Sequence, residues 1–482
     1  MWTAHLPTAR RRVALAAVAT LVSGAALAGC GDSGPDDGAR VRSADTDVSF
    51  AGCDKVACKG EINGAAYEIV LPQKWNGTLV LYSHGYRQAE PAPPDFTPVD
   101  RTAVPAPGEE VGRKLLEQGY ALAGSAYRSN GWAVQEGVQA GEELYAFFRD
   151  KVGRPDRVYL WGDSLGGLIT QTLAEKELDW VSGALPMCGV LGGTNSNLDL
   201  AMDVAYAVKT LLYPSLKLTG YASHDEAARG WQGAYDAIVK AGSDVKNGVP
   251  RILMVASLAD APNKTKTYDG ASIESAVRAY AEAVLTALGY GTYGRHEIEK
   301  RVGGNPSGNT DTDYAARISD GERQLLELVS KGSTDRLLAE LERGERVSAD
   351  AAARAKADAL GNPTGALAVP TITLHTTADP LVLVQNERLF ASRVNAAKDR
   401  SGDLVQLYSQ PPATYPREPG APYGAGHCNF STEQRLAALK LLDDWVRAGI
   451  YPGSAALTGA ASMAPGLVTQ YVPGPWPAEA AG

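Results

Sequence analysis

Arg157-Val-Tyr-Leu-Trp-Gly-Asp-Ser164-Leu-Gly-Gly-Leu-Ile-Thr-Gln-Thr-Leu-Ala174 decides how the rest of the chain is read. Arg157 to Gly162 predicts a buried strand, and Leu165 to Lys176 predicts a helix. Between them stands Gly162-Asp163-Ser164-Leu165-Gly166, a G-x-S-x-G. A serine on so tight a strand-to-helix turn needs small residues two positions either side. Its hydroxyl then projects above the sheet. The helix N-terminus beneath it offers unbonded N–H groups and partial positive charge. Ser164 is therefore the candidate nucleophile.

On either side of this turn, strands and helices alternate. Ala65–Leu71, Thr78–Ser83, Tyr120–Ala126, Val181–Cys188, Thr371–His375 and Leu404–Ser409 read as strands. Val111–Gln118, Glu136–Val152, Gln385–Ala397 and Glu433–Arg447 read as helices. That alternation predicts βαβ units and a mostly parallel sheet with helices on both faces. From 191 to 366 the pattern changes. Leu198–Leu212, Asp225–Ala241, Ser272–Leu288 and Glu322–Leu328 have helical spacing, and Gly303–Asp313 reads as a polar loop. The expected organisation is a core over 51–190 and 367–450 with a helical insertion over 191–366. The Ala-, Gly- and Pro-rich tail over 451–482 reads as irregular.

The G-x-S-x-G in its strand–turn–helix setting resembles the α/β-hydrolase superfamily, and Tyr82-Ser-His-Gly-Tyr86 adds to the resemblance. It follows the strand after which that family places its oxyanion loop, so the backbone N–H groups of Leu165 and Tyr86, with Gly85 as the neighbouring alternative, are expected to bind an oxyanion. The Tyr86 phenol is a further candidate donor or a pocket wall. The family's order Ser…Asp/Glu…His places the base in Gly424-Ala-Gly-His427-Cys428, between the last core strand and the last core helix. His5, His84, His224, His296 and His375 lie elsewhere in the pattern. The acid should end the preceding strand, where Asp379-Pro380 closes an apolar run; Asp260, inside the insertion, is its rival. The resemblance spans Glu61–Val190 and Pro370–Arg447 and implies an acyl-enzyme mechanism with no cofactor and no metal. Within that family the insertion looks like a lid or cap. Its Tyr206, Tyr213, Tyr221 and Trp231 either line a substrate site or form the insertion's own core.

Residues 1–29 read as an address rather than as structure. Arg10, Arg11 and Arg12 precede the apolar stretch Val13–Ala28, too short for a comfortable bilayer span. Leu27-Ala-Gly-Cys30 resembles the lipobox of bacterial lipoproteins, which implies diacylglyceryl transfer to the Cys30 thiol and a membrane anchor on the outer face of the cell membrane. A polar tether over 30–50 would follow. In an oxidising compartment the four other cysteines become disulfide candidates, Cys53 with Cys58 and Cys188 with Cys428.

Composition narrows the classes further. Of 482 residues, 44% are hydrophobic and 21% charged, which excludes a wholly disordered chain. A net charge of -9 without basic runs speaks against a nucleic-acid partner. There is no C-x-x-C and no H-E-x-x-H, so a metal site would need scattered ligands. The expected substrate is a small ester or a short peptide. The peptidase alternative resembles secreted actinobacterial aminopeptidases, and a non-catalytic cell-surface binding protein is the reading from another class.

Overall fold

The computed structural model describes residues 57–397, 404–415 and 422–477. The expected lipobox with Cys30, the expected tether and Cys53 lie outside the described residues.

Nine strands form one sheet among the described residues: β1 (Ala57–Ile62), β2 (Ala65–Val70), β3 (Thr78–Ser83), β4 (Ala121–Ser125), β5 (Arg157–Asp163), β6 (Gly183–Met187), β7 (Thr371–Thr376), β8 (Leu404–Ser409) and β9 (Leu467–Val468). Their order is β1-β2-β4-β3-β5-β6-β7-β8-β9. From β4 to β8 every neighbour is parallel, while β1, β2 and β9 are antiparallel additions at the two edges. Every residue of β3, β4, β6 and β7 is buried. Strands covered on both faces have no solvent side to alternate with, so they read as continuous apolar runs. Helices Val134–Lys151 and Leu165–Ala174 cover one face, and helices Glu109–Glu117 and Thr432–Ala448 the other. This is the architecture expected from the sequence, a mostly parallel sheet with helices on both faces.

The insertion is entirely helical among the described residues, from Thr194–Leu211 through Ala351–Leu360. It encloses a hydrophobic core of its own, in which Tyr206 and Trp231 are almost fully buried and against which Tyr213 packs; Tyr221 is buried there too. Tyr206 and Trp231 are therefore insertion core, while Tyr221 also lines a cleft with His224 and His296. The insertion also holds helices that apolar spacing did not mark. Gly248–Leu258 is a nearly unbroken apolar run, ambiguous between strand and helix. Tyr293–Val302 is mostly polar, its Arg295 and Glu299 buried among neighbouring helices.

The tail corrects the expectation of irregular chain. Ser454–Met463 is a helix, and β9 pairs antiparallel with β8. The stretch is rich in alanine, which favours helix, and Leu467 and Ala460 bury against the core helix Thr432–Ala448 and its surroundings. Low-contrast composition hid an ordered element.

Candidate active site

Parallel strands share one direction, so their C-terminal ends collect along one sheet edge. Ser164 follows β5, Asp379 follows β7, and His427 lies between β8 and the helix Thr432–Ala448. All three loops therefore emerge on that edge, although Ser164 and His427 are 263 positions apart.

The turn at Ser164 is strained as the spacing requires. Its φ is 62° and ψ is -122°, a left-handed setting that a serine adopts only when its surroundings hold it. A Cβ on Gly166 would run into the Ser83 carbonyl oxygen, and one on Gly162 into the Gly166 carbonyl. The cause is register: Ser83 stands opposite Gly162 across β3 and β5. Ser164 N–H donates to the Met187 carbonyl at 2.8 Å, which ties the turn to the end of β6.

The Ser164 hydroxyl and His427 Nε2 lie 2.7 Å apart, and His427 Nδ1 lies 2.8 Å from Asp379 Oδ2. The other Asp379 oxygen accepts the N–H groups of Leu381 and Val382 at 2.9 and 3.0 Å. Burial by itself would raise the pKa of Asp379. The charge and hydrogen bond of His427, the charge of His375 and the Leu381 N–H outweigh it, so the carboxyl is held below its usual range. The His427 loop is stitched to the acid loop by Gly426 N–H donating to Ala378 O and Ala378 N–H donating to Gly424 O. Asp260 is elsewhere: it closes the helix Gly248–Leu258 and accepts a hydrogen bond from the Gln385 amide.

The remaining described histidines are engaged away from Ser164. His224 bonds the Pro91 carbonyl and His296 the Tyr221 carbonyl. His375 is fully buried, with Nε2 on the Val382 carbonyl at 2.8 Å and Nδ1 3.2 Å from Glu387. It stands 3.8 Å from Asp379, a second layer of charge behind the acid. Burial opposes the charged form of His375, yet the Glu387 hydrogen bond and charge win and its pKa is raised.

Gly85 and Tyr86 lie in the loop after β3, whose first carbonyls, those of Ser83 and His84, press on Gly166. That brings the loop to the start of the helix Leu165–Ala174. As the first residue of that helix, Leu165 has no intrahelical acceptor for its N–H. The loop is braced by His84, whose Nδ1 bonds the Gly85 carbonyl and whose ring stacks on Tyr127 at 4.0 Å. Burial and the Arg87 charge push the His84 pKa down to about 3, so it stays neutral. The Tyr86 ring packs edge-on against Tyr290 of the insertion, beside Trp132. The Tyr86 ring thus packs between core and insertion.

Cys188 and Cys428 form a disulfide with Cα atoms 5.4 Å apart. It joins the end of β6 to the residue after His427. Cys58 is buried beside the Tyr67 hydroxyl; its candidate partner Cys53 lies outside the described residues. Among the described residues, one His/Cys/Asp/Glu group has ligand atoms within 4.8 Å of one another: Cys188, His427 and Cys428. Its sulfurs are bonded to each other. No described helix is long and apolar enough to cross a membrane.

Sequence reading missed three contributors. Lys266 of the insertion lays its side chain on Gly426, next to the candidate base. Asp163 and Arg435 form a buried ion pair beside Ser164, at 2.7 Å. Asp163 sits inside the G-x-S-x-G and was within reach of local reasoning; Lys266 and Arg435 carry no local signal.

No protein-family model matches the chain, and no curated protein matches it. Among solved structures it is similar to an esterase from Aspergillus oryzae, at 13% identity and a TM-score of 0.37, over 82% of this chain and 80% of that one. A serine hydrolase from Cycloclasticus zankles is similar at 12% identity and a TM-score of 0.35, over 82% of this chain and 99% of that one. Est1E from Butyrivibrio proteoclasticus stands at 10% identity and a TM-score of 0.35, with the same coverage.

Proposed function

We propose that the protein is an exported serine hydrolase that cleaves carboxylic esters through an acyl-enzyme. One observation carries this reading: the hydrogen-bonded chain Ser164–His427–Asp379, assembled from three separate loops at one sheet edge. In this reading His427 Nε2 takes the Ser164 proton as the serine oxygen attacks the ester carbonyl. Asp379 holds the Nδ1–H tautomer and balances the imidazolium that forms. The N–H of Leu165, with Tyr86 or Gly85, stabilises the tetrahedral oxyanion. His427 then returns the proton to the departing alcohol. Water, deprotonated by the same imidazole, hydrolyses the acyl-Ser164 ester and restores the enzyme.

The insertion is read as a cap over this edge, supported by Lys266 lying on Gly426 and by Tyr290 packing on Tyr86. Export and lipid anchoring through Cys30 are read from residues 1–30, and the Cys188–Cys428 bridge suits an oxidising compartment.

A fluorophosphonate probe tests the mechanism. Wild type should be labelled at Ser164, and Ser164→Ala should neither label nor hydrolyse p-nitrophenyl acetate, with an unchanged melting temperature. Hydrolysis by Ser164→Ala at the wild-type rate overturns the reading. Parallel assays on aminoacyl anilides separate esterase from peptidase, since both use the same three residues.

A further inference from the structure

Arg435 lies in the first turn of the helix Thr432–Ala448, whose start is fixed by a capping box between Ser431 and Gln434. Its guanidinium is almost fully buried. Nη1 donates to both oxygens of Asp163, at 2.7 and 2.9 Å, and stands 3.6 Å from the Met187 sulfur. Nη2 donates to the Cys428 carbonyl at 3.2 Å, and the Phe430 ring lies 5.1 Å from the guanidinium carbon. The Tyr82 hydroxyl also donates to Asp163, at 3.3 Å.

The positions contacted are telling. Asp163 immediately precedes Ser164, and Cys428 immediately follows His427. Met187, also in contact, accepts the Ser164 N–H through its carbonyl. One rigid fork therefore grips the chain one residue away from each side chain of the reacting pair. The disulfide crosses the same gap, from Cys188 to Cys428. Both half-cystines have left-handed φ, 41° and 49°, as does Ser164. Such a turn and loop have no regular ladder to hold them and depend on ties of this kind.

A fully buried ion pair is a poor device for stability alone, because apolar residues of the same shape do as well or better. What an arginine adds is a fixed planar set of donors, one branch for a carboxylate and one for a carbonyl. We propose that Arg435 is a positioning residue that locks the Ser164 turn to the His427 loop through Asp163 and the Cys428 carbonyl, in parallel with the Cys188–Cys428 disulfide. The inference rests on the reading of Ser164 and His427 as the reacting pair. Its consequence is that the two ties are partly redundant, so losing both is worse than the product of losing each.

The test compares the full-length protein with Arg435→Lys, the charge-balanced pair Asp163→Asn/Arg435→Met, the pair Cys188→Ala/Cys428→Ala, and all four changes together. The balanced pair avoids leaving a bare buried carboxylate and should melt within a few degrees of wild type. Its kcat on p-nitrophenyl acetate should nevertheless fall about 10- to 100-fold with KM little changed, as expected for misplaced reacting groups. Arg435→Lys, which keeps the charge but loses the fork, should fall between. The fourfold variant should lose more than the product of the two pairs.

Hydrogen exchange supplies a readout that does not need catalysis. Amides from Gly424 to Phe430 should exchange faster in the balanced pair, while those of β5 and β7 keep their protection. Wild-type kcat per folded molecule in the balanced pair, or unchanged loop exchange, overturns the positioning role. Wild type that takes up no fluorophosphonate overturns the hydrolase reading instead, and the exchange experiment still judges Arg435.

Discussion

Ser164 shows what a single backbone setting costs and what holds it. Its positive φ is maintained by packing so close that Gly162 and Gly166, two positions either side, admit no side chain. Gly166 is the sharpest case, because the obstacle is the Ser83 carbonyl, main chain of a buried strand that cannot rotate aside. Gly166→Ala should therefore lower stability by about 2–4 kcal/mol, well beyond the usual effect of a point change. It should also reduce hydrolysis per folded molecule, because the turn must shift to admit a methyl group. Urea denaturation and active-site labelling measure the two effects separately. A variant as stable and active as wild type would show that the turn has slack the geometry denies it.

At the scale of elements, the helix Ile273–Gly291 places a carboxyl where burial works against its charge. Glu282 accepts a hydrogen bond from Thr265 at 3.0 Å. Desolvation raises its pKa to about 7 against that bond and the charge of Lys266. Tyr268 and Tyr415 also face it. Because the folded-state pKa lies above the unfolded one, the fold binds the proton more tightly. Stability must then fall as pH rises from the ordinary carboxylate range through about 7. Asp260, raised to about 6 by burial and the Glu322 charge, contributes in the same direction. Glu282→Gln removes part of this slope. It should be near neutral at pH ~5 and stabilising by about 1–3 kcal/mol at pH ~8. Urea midpoints at the two pH values check this, and equal shifts at both would mean that Glu282 is not the group responsible.

For the whole molecule, one covalent tie holds distant parts of the chain together, and a second, proposed one would set where the protein resides. The Cys188–Cys428 bridge closes a loop of 240 positions that contains the entire insertion. Chain entropy for so long a loop gives an upper figure of about 5 kcal/mol, and native-state effects reduce it. Cys188→Ala/Cys428→Ala should thus lower stability by about 2–4 kcal/mol, read from urea midpoints without reductant. Peptide mapping of the protein without reduction should recover the two cysteines joined; finding them alkylated separately would refute the bridge. The second feature is the Cys30 thiol. On the proposal that Cys30 is lipidated, Cys30→Ser should move the protein from the membrane fraction to the soluble one, since stable anchoring would need lipid chains on that thiol. Unchanged fractionation would place the anchor elsewhere.

What could be read along the chain was whatever local rules dictate. Buried parallel strands appear as apolar runs, so β3 and β8 were legible with their observed bounds. A serine turn needs glycines at fixed offsets, and a base loop needs glycines to fold over an edge. Asp379-Pro380 was legible as the end of an apolar strand, while its expected role came from the order of residues in the resembled family. Where these loops meet is a matter of strand order, which no local window contains. Only folding sets His427 between Ser164 and Asp379, buries Tyr206 and Trp231 in the insertion's own core, and rests Lys266 on Gly426. It also pairs Arg435 with Asp163 across 272 positions. A charged residue in the first turn of an amphipathic helix looks like any solvated one until its burial is known. Local sterics act between neighbours and leave a pattern in sequence; desolvation and charge pairing act through space and leave none.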